Sequence, residues 1–262
     1  MVICITGASS GIGEAAALRL AREEGATLVL VARREERLRA VAERCGADAT
    51  WIAVDLTADD APERVRSHLV ERHDGRLDIL VNNAGSSWPA RFAEGGYENV
   101  RRTMTLNFDA PVRLTEALLP LLRADDGGAV VNVGSTAGRV ARARTGAYSA
   151  SKFALAGWTD ALWSEERRHG VHVGLVQPGF VVTEGFPQRE LTESVRTRWA
   201  VSRPEVVAEA IAACALDGVA ERYSPRGYWL AAAARILAPR LVRRVLSGPG
   251  SGRMTPATNP DA

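Results

Sequence analysis

The sequence predicts a doubly wound α/β fold, a parallel sheet covered by helices on both faces, in one domain over residues 1–246. Two observations predict it. Short apolar, β-branched runs alternate strictly with longer stretches of helical period, the pattern of parallel strands joined by crossover helices. No internal repeat or linker interrupts the alternation, and 262 residues suffice to bury a real core.

The first strand is expected at 2–6, where Val2-Ile3-Cys4-Ile5 is apolar throughout. A glycine-rich turn leads from it into a helix over 13–24. The β-branched run "TLVLVA" gives a strand at 27–32, and the stretch "EERLRAVAERC" gives a helix over 35–45. Strands at 50–54 and 78–82 flank a helix over 60–73. One long helix over 97–122 precedes a strand at 129–134, a helix over 147–169 and a strand at 171–176. Helices over 204–215 and 228–246 follow, with Pro239 breaking or kinking the second. Residues 247–262, rich in Gly, Pro, Ser and Thr, read as a flexible tail. In open parallel sheets of this class, ligands bind at the C-terminal edge of the strands.

Composition excludes several function classes. Hydrophobic residues make up 46% and charged residues 24%, as in ordinary soluble domains. A net charge of +2 gives no overall field directed at nucleic acid, so no nucleic-acid partner is expected. Cys4, Cys45 and Cys214 are odd in number and far apart, which suits free thiols in a reducing compartment. With no apolar window long enough to span a membrane and no signal-like start, a cytoplasmic location is expected. His68, His73, His169 and His172 lie near helix ends, where solvated histidines are common, and no metal site is expected from them. The basic residues hold the sharpest oddity: of the 33, only Lys152 is lysine.

The turn after the first strand reads "TGASSGIG", Thr6 to Gly13. Gly7 lets the chain leave the strand tightly. Gly11 and Gly13 let backbone approach a pyrophosphate and let the helix pack closely on the sheet. Open N–H groups at a helix start favour bound phosphate. At the end of the second strand, where an acid would hold a ribose diol, the sequence offers Arg33 and Arg34. Two guanidiniums there suit a 2′-phosphate, so NADP(H) is favoured over NAD(H).

In "AYSASKFAL", Tyr148 and Lys152 are four apart within a helical stretch and share a face. An unperturbed tyrosine titrates near pH ~10, too high for acid–base work at neutral pH. A neighbouring ammonium is expected to lower it. Arginine would keep the charge but could not relay a proton, which gives a reason for the solitary lysine at this position.

With these residues in place, the sequence resembles the short-chain dehydrogenase/reductase family, from Val2 to about residue 215. That family's glycine motif is T-G-x-x-x-G-x-G, the spacing found here. The resemblance implies a Rossmann-type fold. It also implies that Gly7, Ser9, Ser10, Gly11, Ile12 and Gly13 border the cofactor phosphates. Asp55 and Leu56 after the third strand fall at the adenine. "NNAG", with Asn83, Ala84 and Gly85, falls beside the adenine ribose. In "QPGFVVT", Pro178, Gly179, Val181 and Thr183 fall at the nicotinamide carboxamide.

Four catalytic residues follow from the same resemblance: Asn107 holding a water in a proton relay, Ser135 binding the substrate carbonyl, and Tyr148 and Lys152 moving the proton. The implied activity is NADP(H)-dependent reduction of a ketone or aldehyde to an alcohol, or the reverse. A serine hydrolase is the competing class, but "GSTAG" around Ser135 is not G-x-S-x-G. A cofactor-sensing protein without turnover is a further alternative, against which the intact catalytic set argues.

Substrate contacts are expected from Ser86, Ser87, Trp88, the arginines at 139–144, Phe180 and a lid over 184–202. Phe186 and Trp199 in that lid suggest an apolar carbonyl or alcohol substrate. Beyond the family match, residues 222–246 combine arginines with large apolar side chains, and no acid occurs from Arg222 through Pro260. The family's habit of forming dimers and tetramers makes a homodimer or homotetramer interface the leading expectation there. Peripheral contact with an anionic membrane is the lesser one.

Overall fold

The computed structural model describes residues 1–46, 48–124, 127–183 and 201–247. Most of the expected lid, including Phe186 and Trp199, and the tail beyond Ser247 lie outside the described residues. The strands are β1 (Val2–Thr6), β2 (Thr27–Ala32), β3 (Thr50–Ala53), β4 (Ile79–Asn82), β5 (Ala129–Val133), β6 (His172–Pro178), β7 (Phe180–Val181), β8 (Val201–Ser202) and β9 (Glu221–Ser224). The helices are α1 (Gly11–Leu20), α2 (Glu35–Cys45), α3 (Ala61–His73), α4 (Phe92–Met104), α5 (Ala110–Leu122), α6 (Gly146–Glu166), α7 (Pro204–Leu216), α8 (Trp229–Leu237) and α9 (Pro239–Leu246).

Among the described residues, seven strands make one parallel sheet in the order β3-β2-β1-β4-β5-β6-β9, and β7 pairs with β8 beside it. The order reverses between β1 and β4, so the chain diverges there and leaves a crevice at the C-terminal strand edge. Alternating side chains of each strand serve opposite cores. Ile3, Ile5, Leu28 and Leu30 pack with Leu20, Leu38 and Ile211 of α1, α2 and α7. Cys4, Val29, Leu80 and Val130 pack with Leu69, Leu118 and Leu162 of α3, α5 and α6. Both faces are therefore buried, which explains why the strands read as unbroken apolar runs.

A polar ladder crosses the second core. Asn82 Nδ2 donates to Thr115 Oγ1 and to Asn132 Oδ1, and Asn132 Nδ2 donates to Thr159 Oγ1, each at 2.9 Å. It fixes α5 and α6 against the two central strands on which the site is built.

Two differences from the sequence reading have local causes, and the break expected in the final helix falls at its proline. The helix expected over 97–122 begins at Phe92, bends at Gly96 (φ 53°) and passes through a π turn at Thr105–Asp109 before α5. The final helix divides at Ala238, where Pro239 starts α9. Glu221–Ser224 is a seventh sheet strand inside a stretch read only as basic and amphipathic. An edge strand of sequence "ERYS" has neither the apolar run nor the alternation that betrays a strand.

His68 and His73 are half-buried, and both hydrogen-bond Thr50 Oγ1. The cysteines are free, and burial pushes the Cys4 and Cys214 thiols up to about 12. Among the described residues, no helix is long and apolar enough to cross a membrane, and no group of three or more His, Cys, Asp or Glu is placed to hold a metal.

Candidate active site

The glycine turn works by what it lacks. Gly7 (φ 66°) and Gly11 (φ 59°) occupy left-handed backbone, where a side chain would be strained. A Cβ on Gly7 would stand 2.9 Å from Ala84 Cα, and one on Gly11 3.1 Å from the Thr183 methyl. Gly13 does not border the crevice. A Cβ there would sit 2.2 Å from Gly7 O, so its bareness serves the packing of α1 on the turn. Ser10 begins α1 without a side-chain cap, leaving the first-turn N–H groups as donors for an anion.

Thr6, which the sequence reading passed over, ties this turn to the "NNAG" segment. Its Oγ1 accepts from Asn83 N at 2.9 Å and Ala84 N at 3.0 Å, while Asn83 Nδ2 donates to Thr6 O at 2.9 Å.

The turn opens into a cavity of about 840 Å³ running along the C-terminal strand edge. One end is cationic. Arg33, Arg34 and Arg37 line it, and Arg34 Nη2 donates to Ser10 Oγ at 2.9 Å. Arg37 was missed, although it stands in the first turn of α2, three residues after Arg34. Asp55 and Leu56 lie on the same stretch of wall. Burial raises the Asp55 carboxyl, but hydrogen bonds from Thr57 and the Arg33 charge outweigh it and hold the group below its ordinary value. A bare glycine cradle, open helix-start donors and three guanidiniums fit a dinucleotide with an additional phosphate.

At the other end stand Ser135, Tyr148 and Lys152; Gly85, Pro178, Gly179 and Val181 also line the cavity, and Thr183 lines it beside the glycine turn. Ser135 follows β5 by two residues in extended backbone, and its Oγ accepts from Ala137 N at 3.1 Å. Its own N–H donates to Gln177 Oε1 at 2.9 Å, and Gln177 Nε2 donates to Glu221 of β9 at 3.2 Å. Glu221 in turn pairs with Arg139 at 3.0 Å. The strand missing from the sequence reading thus holds the amide that holds Ser135.

Lys152 is buried, its Nζ donates to Val133 O at 2.8 Å, and burial lowers its pKa to about 8. Tyr148 departs from expectation. Burial raises its hydroxyl above the ordinary value, and a hydrogen bond with Ser135 and the Arg142 charge offset this only in part. Lys152 Nζ is 6.0 Å from the tyrosine ring centre, and burial weakens its own charged form, so it does not bring the lowering expected of it.

Asn107 sits behind the wall in the π turn, fully buried. It accepts from Ser86 N at 2.9 Å and donates to Ser86 O at 2.8 Å and Ser151 Oγ at 3.1 Å. Of the expected substrate contacts, Ser86, Ser87, Trp88, Arg142 and Phe180 line the cavity, with the Arg142 guanidinium 4.7 Å from the Phe180 ring centre. Arg139 is engaged with Glu221 instead, and Arg144 is exposed. Tyr228 and Ala231, from the C-terminal segment, also reach this wall. The bare Gly179 makes room for the Tyr228 ring, which a Cβ would meet at 2.7 Å.

The sequence profile of the short chain dehydrogenases matches residues 1–194. The chain belongs to the short-chain dehydrogenase/reductase family. Members of this family similar to it include an uncharacterized oxidoreductase of Staphylococcus epidermidis, 33% identical over 74% of this chain and 85% of its own. A 3-dehydrosphinganine reductase of Danio rerio is 30% identical over 88% of this chain and 73% of its own. Among solved structures, a metagenomic short-chain oxidoreductase in complex with NADP is 34% identical, with a TM-score of 0.71 over 85% of this chain and 96% of that one. The chain is thus a family oxidoreductase, built on the family's seven-stranded parallel sheet.

Proposed function

We propose that the protein is an NADP(H)-dependent oxidoreductase that reduces a ketone or aldehyde to an alcohol, or runs the reverse. The observation that carries this reading is one cavity bordered by the glycine cradle and three arginines at one end and by Ser135, Tyr148 and Lys152 at the other. The similar structure with bound NADP supports the cofactor, and the relative named as a 3-dehydrosphinganine reductase supports a carbonyl substrate.

Bound NADPH supplies the hydride. The chain's own residues bind, orient and move the proton. A raised pKa keeps the Tyr148 hydroxyl protonated at neutral pH, ready to give its proton to the substrate oxygen. Ser135 Oγ donates to the same oxygen as negative charge develops there. Lys152, with a pKa of about 8, exchanges protons near working pH, and Asn107 fixes the Ser86 backbone beside it. Val140, Phe180, Tyr228 and Ala231 give the substrate end an apolar border, which suits an apolar carbonyl compound.

A panel of apolar ketones and aldehydes, assayed with NADPH and with NADH, tests the reading. Turnover with a kcat/KM preference for NADPH is expected, and Arg33→Ser with Arg34→Ser should reduce that preference roughly tenfold or more, as loss of charge-assisted hydrogen bonds would. NADPH binding without turnover of any member would overturn it, as would an NADH preference.

A further inference from the structure

The two last helices reverse the usual arrangement of burial. Only Ala232 of α8 is buried, and nothing of α9. Trp229 is 54% exposed, Leu230 58%, Ile236 76%, Leu237 84%, Leu241 62% and Val245 66%. On α9 the two chemistries are sorted. Leu241, Val242 and Val245 share one face, while Arg240, Arg243 and Arg244 share the other. Exposed large apolar residues gathered on two successive helices mark an interaction site.

Three occupants compete for it. The tail over 248–262 offers a single large apolar side chain, Met254, against the six exposed on these two helices. A second copy docked about a two-fold axis would bury the apolar face but leave the arginine face without a counter-charge, since no carboxylate occurs from Arg222 through Pro260. A bilayer with anionic headgroups meets both requirements. Apolar side chains enter the acyl boundary, arginines on the opposite face reach phosphates, and Trp229 suits the interface. The same segment borders the catalytic cavity through Tyr228 and Ala231.

We propose that the α8–α9 face seats on an anionic membrane surface, lying in its plane. The cavity mouth then opens beside the lipid, where an apolar substrate would be concentrated. The docking itself does not depend on the reaction. It replaces the subunit interface expected of this segment from sequence.

Co-sedimentation of the full chain with phosphatidylcholine vesicles, with and without phosphatidylglycerol, tests the docking. Binding to the anionic vesicles, release by high salt and little binding to phosphatidylcholine alone are expected. Each arginine near such a surface contributes roughly fivefold to partitioning, so Arg240→Ser, Arg243→Ser and Arg244→Ser together should weaken it on the order of a hundredfold. Leu237→Ser with Leu241→Ser should also weaken it, with the molar mass in solution unchanged. Failure of the wild-type chain to bind anionic vesicles, or undiminished binding in folded variants, would overturn the proposal. A fall in molar mass in the Leu237/Leu241 variant would assign the face to a second copy instead. Salt release and lipid dependence of the wild-type chain decide the matter even where a variant does not fold.

Discussion

Lys152→Met separates what the buried ammonium costs from what it does. The side chain is 4% exposed, donates one hydrogen bond of 2.8 Å to Val133 O, and has its pKa lowered by burial from 10.5 to about 8. The folded chain therefore binds this proton less tightly than the unfolded chain. Below about 8 both states are protonated, and the fold carries the whole penalty. Above 10.5 both are neutral and the penalty is gone, so this residue's contribution to stability rises with pH between the two values.

A lowering of that size corresponds to on the order of 3 kcal/mol, against which the lost hydrogen bond sets about 1 kcal/mol. Methionine fills a similar volume without charge. The variant should be more stable than wild type near neutral pH by roughly 2 kcal/mol, with the gain fading as pH rises from 8 to 10.5, while turnover is lost. Urea unfolding of both proteins at several pH values measures this. The difference between them cancels the titration of other groups, and Tyr148, raised above its ordinary value, stays protonated through most of the window. A variant less stable than wild type at neutral pH, or a gain that does not change with pH, would show that the buried ammonium carries no such penalty.

Two further substitutions probe the frame of the site. Gly13→Ala places a Cβ 2.2 Å from Gly7 O, where main chain cannot yield cheaply. It should cost about 1–3 kcal/mol in thermal stability and weaken NADPH binding at least about tenfold by displacing the turn; normal NADPH titrations would contradict this. Gln177→Leu leaves the buried Ser135 N–H without its acceptor, at a cost of about 1–3 kcal/mol. It should lower kcat while NADPH affinity holds, and an unchanged kcat would show that Gln177 does not position Ser135.

Much of this was legible in the sequence because the signals are local. The strands buried on both faces announce themselves as apolar runs, as with Val2–Thr6 and Thr27–Ala32. The glycine turn and the Tyr148/Lys152 pair are each contained within a few residues, and Lys152 as the one lysine of the sequence, with the glycine turn upstream, singles the pair out.

What was not legible depends on contacts between distant residues. Thr6 reaches Asn83 across 77 positions, and Gln177 reaches Ser135 across 42. The π turn that presents Asn107 inward has no sequence signature, and Gly95 with Gly96 hides the true start of α4. The Tyr148 hydroxyl was expected to fall beside an ammonium. Its rise reflects burial, a property of the folded cavity that helical spacing cannot carry.

The proposed chemistry rests most directly on Tyr148 as the proton donor. Tyr148→Phe removes the hydroxyl and leaves the ring, the Lys152 contact with Val133 O and the glycine cradle in place. Turnover of a carbonyl substrate and NADPH affinity should be measured on the same preparation of this variant and of wild type. A fall in kcat of about 10²–10⁴-fold, the worth of a positioned acid, is expected, with NADPH binding unchanged. Retention of more than about a tenth of wild-type kcat, against that range, would contradict it.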